Sequence, residues 1–363
     1  MEIAFILSLE HPTLPKAELK AVFEAENLPF IIKEEFDGFL ILEIPEESCR
    51  YCDNEIFKKK TYKETYNSLE RLALTHEGFQ ILISTNKANL IEKVQKYPWE
   101  EVITGDYAVR VKKKRFNSGK KSKSEIDTLG LEKQIGGLIR HKLGEDARVN
   151  LENPEVFIRT VIIGDRVFMG PRLIKISKKH FFELKPHKRP FFYPGSMSPK
   201  LARTMVNLTR IKTGERLLDP FCGTGGILLE AGIIGARVVG SDIDPKMVKG
   251  TLENLEHCGI RDFEVFRADV RKLTLPFRVD AVATDPPYGI SASTRGSESL
   301  TLYGGALLSL EHLIKDDGLV CLATPHYMDI YQLVKGTKFE IIEQYHIRMH
   351  KSLTRVISVL RKI

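Results

Sequence analysis

The chain has 363 residues, 42% hydrophobic and 28% charged, with 55 basic side chains against 48 acidic ones and a formal net charge of +7. An apolar fraction of that size excludes a disordered or fibrous chain, and the length suits two or three domains. No window of about eighteen apolar residues occurs and Met1-Glu2-Ile3 is no positively charged leader, so a soluble, cytoplasmic protein with no membrane partner is expected.

Residues 1–84 read as strand Glu2–Leu9, helix Lys16–Ala25, strands Phe30–Glu35 and Gly38–Ile44, helix Phe57–Leu74 and strand Phe79–Ser84. The β-α-β-β-α-β order predicts a ferredoxin-like N-terminal domain. Cys49 and Cys52 form a lone CxxC; zinc needs about four ligands and no second pair lies nearby, so no metal site is expected. Five scattered cysteines suit a reducing compartment.

Residues 85–170 read as a second α/β domain: helix Ala88–Lys96, strand Tyr107–Lys112, a polar loop, helix Leu129–Leu143, then strands near Arg148–Leu151 and over Val156–Ile163. The charge is concentrated here. Residues 1–104 carry 12 Lys/Arg against 19 Asp/Glu, residues 105–215 carry 25 against 11, and residues 216–363 carry 18 against 18. A basic middle third points to a polyanionic partner. Lys112, Lys113, Lys114, Arg115, Lys120 and Lys121 are the candidate nucleic-acid-binding residues. Such a run is often only a solvated face; the basic residues that follow, Arg140 to Arg172, favour the binding reading.

Residues 171–195 read as a connector, with Pro171, Pro186, Pro190 and Pro194 resisting regular structure. Its rings, Phe181, Phe182, Phe191, Phe192 and Tyr193, either pack on a neighbouring domain or stack on bases, packing being favoured.

Residues 196–363 alternate strand and helix: strand Arg216–Asp219, helix Gly226–Ile234, strand Arg237–Asp242, helix Pro245–Cys258, strands Glu264–Asp269 and Asp280–Thr284, helix Leu300–Ile314, strand Leu319–Thr324, helix Tyr327–Val334, and strands Phe339–Met349 and Thr354–Arg361. In the second helix Val248, Leu252 and Leu255 mark one apolar face. Short βα crossovers predict a doubly wound parallel sheet with helices on both faces. The last two strands are too close for a crossover, so one runs antiparallel.

The chemistry concentrates in this unit. Asp219-Pro220-Phe221-Cys222-Gly223-Thr224-Gly225-Gly226 is a strand-end acid followed by a Gly-rich turn that opens a helix, the place where a doubly wound sheet holds a nucleotide-like ligand. Alone it suits NAD as well, although its spacing is not GxGxxG. Asp242 and Asp269 end the next two strands, where carboxylates accept from ribose hydroxyls and from an adenine amine. Each taken singly is equally well a cap or turn residue; three in succession match a ligand with an ammonium, a ribose and an adenine, better than one with phosphates. Asp285-Pro286-Pro287-Tyr288 ends the fourth strand. An exocyclic base amine is a poor nucleophile because its lone pair is delocalised into the ring. If the Asp285 carboxylate and the Pro286 carbonyl accept its two N–H bonds, the nitrogen pyramidalises, while Tyr288 stacks on the base.

In this order and spacing the two motifs resemble those of class I S-adenosylmethionine-dependent amino-methyltransferases. With its N-terminal layer, its basic middle, the stretch Phe192–Arg203 and the Leu353-Thr354-Arg355 element, the whole chain is similar to the archaeal tRNA guanine-N2 methyltransferases that modify position ten. The resemblance implies a THUMP domain over 85–170, a linker over 171–195 and a Rossmann-like catalytic domain over 196–363 with an antiparallel last strand. It also implies S-adenosylmethionine as cofactor, lined by Asp219, Cys222, Gly223, Gly225, Asp242, Asp269 and Val270, and Asp285, Pro286 and Tyr288 at the target amine. The expected partner is tRNA, bound by a monomer. The motif reports an exocyclic amine and not the ring that bears it, so a guanine elsewhere in tRNA or an adenine N6 stays open. A tRNA-binding module without catalysis and an NAD oxidoreductase are the readings from other classes; the intact strand-end acids and Asp285-Pro286-Pro287-Tyr288 argue against them.

Overall fold

The computed structural model describes residues 1–45, 68–114, 127–144, 147–288, 297–350 and 353–363. Cys49, Cys52, Arg115, Lys120, Lys121 and most of the predicted helix Phe57–Leu74 lie outside them. The chain divides into two units, one of residues 1–12, 28–70 and 75–176, the other of residues 13–27, 71–74 and 177–363. Among the described residues no helix is long and apolar enough to cross a membrane.

The first unit is built on one sheet of strands β1 (Glu2–Leu7), β2 (Ile31–Phe36), β3 (Phe39–Glu43), β4 (Thr75–Gln80), β5 (Ile83–Asn86), β6 (Tyr107–Lys114), β7 (Val156–Ile163) and β8 (Arg166–Lys175). Their order is β2-β3-β1-β4-β8-β7-β6, with β5 also on β8. Pairing therefore runs across residue 84, where the sequence reading placed a domain boundary, because β4 pairs antiparallel with β8. Strand β8 replaces the first residues of the expected connector. Its turn, Gly164-Asp165, joins Ile163 to the opposing Arg166, and Gly164 takes a φ of 62°, the left-handed conformation that tight hairpins demand. Pro171 is tolerated because it stands where β8 changes partner, from β5 through Met169 to β4 from Arg172. Helix α2 (Leu90–Lys96) and helix α3 (Thr128–Leu143) cover one face, where Leu90, Val94, Ile135 and Ile139 join Trp99, Ile158 and Ile162.

Helix α1 (Leu14–Ala25) was expected in the N-terminal layer, yet it belongs to the second unit. Leu14 and Ala21 pack with Leu74, Ala202 and Met205. Between them Glu18 is fully buried, and its carboxylate accepts from the backbone N–H of Ala73 (2.9 Å) and Leu74 (2.7 Å) and from the Asn207 amide (2.8 Å). A carboxylate on the apolar face of a helix demands such donors. Periodicity shows that a face is buried and not against what.

The rest of the second unit begins with helix α4 (Lys178–Glu183) and helix α5 (Pro199–Leu208). Helix α5, absent from the sequence reading, starts on Ser198, whose hydroxyl accepts from the Leu201 N–H, with Pro199 in its first turn. A seven-stranded sheet follows: β9 (Arg216–Asp219), β10 (Arg237–Asp242), β11 (Phe263–Arg267), β12 (Val279–Thr284), β13 (Ile314–Pro325), β14 (Phe339–His350) and β15 (Leu353–Lys362) in the order β11-β10-β9-β12-β13-β15-β14. Every pairing is parallel except those of β15, the antiparallel last strand. Adjacent residues feed opposite faces: Leu217, Val238 and Ala281 enter one core, Leu218, Val239 and Val282 the other. Such two-sided burial is what a parallel sheet with helices on both faces requires. The winding direction reverses between β9 and β12, which opens a crevice at the carboxyl ends of these strands.

Candidate active site

Strand β9 delivers Asp219 to that crevice, and helix α6 (Gly226–Ile233) leaves it. The turn between them is held by peptide groups. Cys222 N–H donates to the Ser241 carbonyl (2.9 Å), Gly223 N–H to the Asp242 carboxylate (3.0 Å), and Gly225 N–H to the Cys222 carbonyl (2.7 Å). Helix α7 (Pro245–His257) braces the turn from outside. The Thr251 hydroxyl donates to the Gly223 carbonyl (2.7 Å), and the Asn254 amide to Thr224 and Phe191 carbonyls (both 2.9 Å). The buried stripe of α7 is accordingly Gly250, Thr251, Asn254 and Leu255. Val248 and Leu252, expected on it, are only partly covered; periodicity of apolar residues misses a face that is polar because it clamps a loop.

Gly223 and Gly225 take φ values of 53° and 77°, where a side chain is strained. They differ in what surrounds them. A Cβ on Gly225 would stand 2.9 Å from Thr251 Cγ2, whereas one on Gly223 would meet nothing nearer than the Phe221 carbonyl oxygen at 4.0 Å. Gly225 thus serves packing and Gly223 faces open space. The Cys222 thiol is buried in the core below the turn, and burial pushes its pKa well up, so this residue acts through its backbone.

The three strand-end acids are in different states. Asp219 is buried, accepts from the Thr284 hydroxyl (2.7 Å) and the Phe221 N–H (3.2 Å), and is pushed up to about 7 by burial, with the negative charges of Asp242 and Asp285 adding to the effect. Asp242 accepts from Gly223 N–H and from Asp244 N–H (2.9 Å), which leaves lone pairs on both oxygens. Asp269 stands just beyond β11 and caps a single 3₁₀ turn over Val270–Lys272, with Val270 buried beneath it. The Arg271 guanidinium grips its carboxylate at 2.6 Å and holds it down at about 2.

Asp285 follows β12. Its Oδ1 accepts from the Tyr288 hydroxyl at 2.7 Å and its Oδ2 faces Arg355 Nη2 at 3.0 Å, while Arg355 Nε donates to the Tyr288 hydroxyl oxygen at 2.5 Å. Burial raises the Asp285 pKa, opposed by the Arg355 charge and the Tyr288 hydrogen bond. Tyr303 of helix α8 (Ser297–Leu313) donates to the Pro286 carbonyl (3.2 Å), and Tyr327 donates to the Tyr288 carbonyl (2.8 Å). The Tyr288 phenol therefore points at the carboxylate and the guanidinium. Sequence reasoning noted the Leu353-Thr354-Arg355 element without a role for the arginine, and it missed Tyr303 and Tyr327. Its place in that element is the signal for the arginine; nothing local marks the tyrosines.

Of the basic candidates, Lys112, Lys113 and Lys114 lie on β6 in the first unit. The Lys114 ammonium is turned back onto the carbonyls of Asp37 and Gly38, and burial pulls it down to about 8. It is spent inside the fold. The connector rings divide: a Cβ on Gly250 would stand 2.0 Å from the Phe191 ring, which packs there, while Phe182, Phe192 and Tyr193 are exposed. Lys188 lies over Phe182 at 3.4 Å and Lys246 over Tyr193 at 5.9 Å.

Comparison with known proteins places these units. Residues 84–170 match the THUMP domain and residues 186–357 the family UPF0020, described as an RMKL-like methyltransferase domain. The chain is 45% identical, over the full length of both, to a tRNA (guanine(10)-N2)-dimethyltransferase of Methanothermobacter thermautotrophicus. Among solved structures, TrmN from Thermus thermophilus aligns over all of both chains with a TM-score of 0.54 at 21% identity. SMU.472, a putative methyltransferase complexed with SAH, aligns over 98% of this chain and 97% of its own with a TM-score of 0.52 at 14% identity. At these identities the two structures establish the fold.

Proposed function

This chain belongs to the tRNA (guanine(10)-N2)-dimethyltransferase family, and from that premise we propose that it transfers one and then a second methyl group from S-adenosylmethionine to the N2 amine of guanine ten in tRNA. The observation that carries the reading is the pair of acceptors at one strand end, the Asp285 carboxylate and the Pro286 carbonyl, beside a Gly-rich turn on the neighbouring strand. S-adenosylmethionine supplies an electrophilic methyl on a sulfonium. The residues suit it. Asp219 and Asp242, met by neutral donors, give one side of the crevice its negative character, Gly223 leaves backbone open to approach, and Asp242 retains acceptors for a ribose. Asp269 is engaged on both oxygens by the backbone N–H and the guanidinium of Arg271, so an adenine amine there would have to displace one of those bonds.

The chain's own residues then prepare the amine. Asp285 and Pro286 accept the two N2–H bonds, which draws the nitrogen out of conjugation and frees its lone pair. S-adenosylmethionine bound there would supply the methyl group and keep the electron pair of the cleaved carbon–sulfur bond, and the Asp285 carboxylate would accept the surplus N2 proton. The THUMP unit and the basic connector hold the phosphate backbone, which positions the tRNA without reading the base.

Nucleoside mass spectrometry of a tRNA transcript incubated with labelled S-adenosylmethionine tests this. The expected products are N2-methylguanosine and N2,N2-dimethylguanosine at position ten, lost in Asp285→Ala. Label on an adenine, or on a guanine elsewhere, would overturn it.

A further inference from the structure

Asp285 and its neighbours present one kind of edge. Arg355 offers Nη2 to Oδ2 and Tyr288 offers its hydroxyl to Oδ1, and both are donors to the carboxylate. Arg355 is fixed in turn: its side chain is only 9% exposed, its Nε is used on Tyr288, and its backbone is paired on both sides, to Pro325 of β13 and Ile347 of β14. With both oxygens already receiving a donor, the free lone pairs of Asp285 are acceptors only.

We propose that Arg355 is a positioning residue that locks Asp285 in its ionised, two-acceptor form, and that this edge selects guanine by accepting N1–H and N2–H together. The inference rests on the guanine-N2 reading above and adds what excludes other purines. Guanine places two donors side by side at N1 and N2. Adenine places a donor, N6–H, beside an acceptor, N1; that pattern suits an amide or a protonated acid and sets a lone pair against a carboxylate oxygen. An unmatched pair at a buried polar site is what gives polar pockets their largest discrimination. The locked carboxylate thus does two jobs: one oxygen draws on the reacting amine and the other reads its ring neighbour.

The test uses the whole protein and tRNA transcripts carrying guanine, 2-aminopurine or adenine at position ten. 2-Aminopurine keeps the N2 amine but has a lone pair at N1. The expected result is a kcat/KM for guanine about a hundredfold above that for 2-aminopurine, with no methylation of adenine. Equal rates on guanine and 2-aminopurine would overturn the inference while leaving the proposed function intact; failure to methylate guanine at all would remove both. Arg355→Gln supplies the second arm. Asp285 is faced by Arg355 from β15, by Tyr288 from its own loop, by Tyr303 from α8 and by Asp219 from β9. Losing the one cation among them moves the acid limb of kcat/KM to higher pH and narrows the guanine preference at neutral pH, and Arg355→Lys restores part of both. An unchanged acid limb and an unchanged base preference in Arg355→Gln would refute the role given to Arg355.

Discussion

Asp219 predicts how cofactor affinity depends on pH. Its carboxylate is buried, accepts from one hydroxyl and one backbone N–H, and is pushed up to about 7. A cationic ligand binds the ionised form, so below pH 7 binding must first remove a proton. With a single site of pKa about 7, the apparent Kd follows Kd(1 + 10^(7 − pH)), which is about 1.1 times the intrinsic value at pH 8 and about thirtyfold weaker at pH 5.5. Isothermal titration of S-adenosylmethionine at several pH values, in two buffers of different ionisation enthalpy, reads both the slope and the released proton, about 0.9 per binding event at pH 6. The same shift has a stability sign. The folded pKa is raised, so the contribution is fully present below about pH 4 and is lost as pH rises through 7, to a total of about 4 kcal/mol for a shift of this size. Asp219→Asn can still accept from Thr284 and Phe221; it should bind weakly with no pH slope and should be more stable than the parent at pH 8, with little difference at pH 4. A parent affinity that changes less than threefold between pH 5.5 and 8, or a slope that survives in Asp219→Asn, would refute the assignment.

Further outcomes follow from other parts of the fold. Glu18→Ala strands the Ala73 and Leu74 N–H groups and the Asn207 amide, at a cost of about 3 kcal/mol in urea unfolding, and Glu18→Gln, which keeps one accepting oxygen but sets its NH2 against a backbone donor, should recover only part of it; equal stability of Glu18→Ala and parent would contradict the burial argument. Gly225→Ala brings a Cβ to 2.9 Å from Thr251 at a φ of 77°, so the turn should lose about 1–3 kcal/mol and weaken cofactor binding, while an Ala variant that binds as well as parent would show the turn to be adaptable. Binding of tRNA should weaken about a hundredfold between 50 and 200 mM salt if four phosphates are neutralised. Lys114→Met should leave that slope unchanged, since its ammonium is held by Asp37 and Gly38 carbonyls; a slope reduced by about one would return Lys114 to the RNA-binding set.

What could be read from the sequence divides by the range of the interaction. The Gly-rich turn, the Asp-Pro-Pro-Tyr end of β12 and the strand-end acids are written in contiguous residues, because a turn, a cap and a strand end are decided within a few positions. The pairing of β4 with β8 joins residues nearly a hundred positions apart, and no local pattern announces it. Helix α1 shows the same limit from the other side. The helix itself is read within its own residues, but the donors that its buried Glu18 requires come from residues 73, 74 and 207. Arg355 was visible only as part of a family-like element, since its partner Asp285 lies seventy positions away, just beyond β12.

The same division governs charge. Residues 216–363 balance exactly in sequence, 18 basic against 18 acidic, yet the crevice is not neutral. Asp269 has Arg271 and Asp285 has Arg355, whereas among the described residues Asp219 and Asp242 are met by a hydroxyl and by backbone N–H groups alone. In the proposed reaction, two carboxylates served by neutral donors beside two that carry their own cations would draw a sulfonium to the Asp219 side of the crevice and leave the Arg355 side for a neutral base edge, so the charge asymmetry would sort the two substrates before either binds.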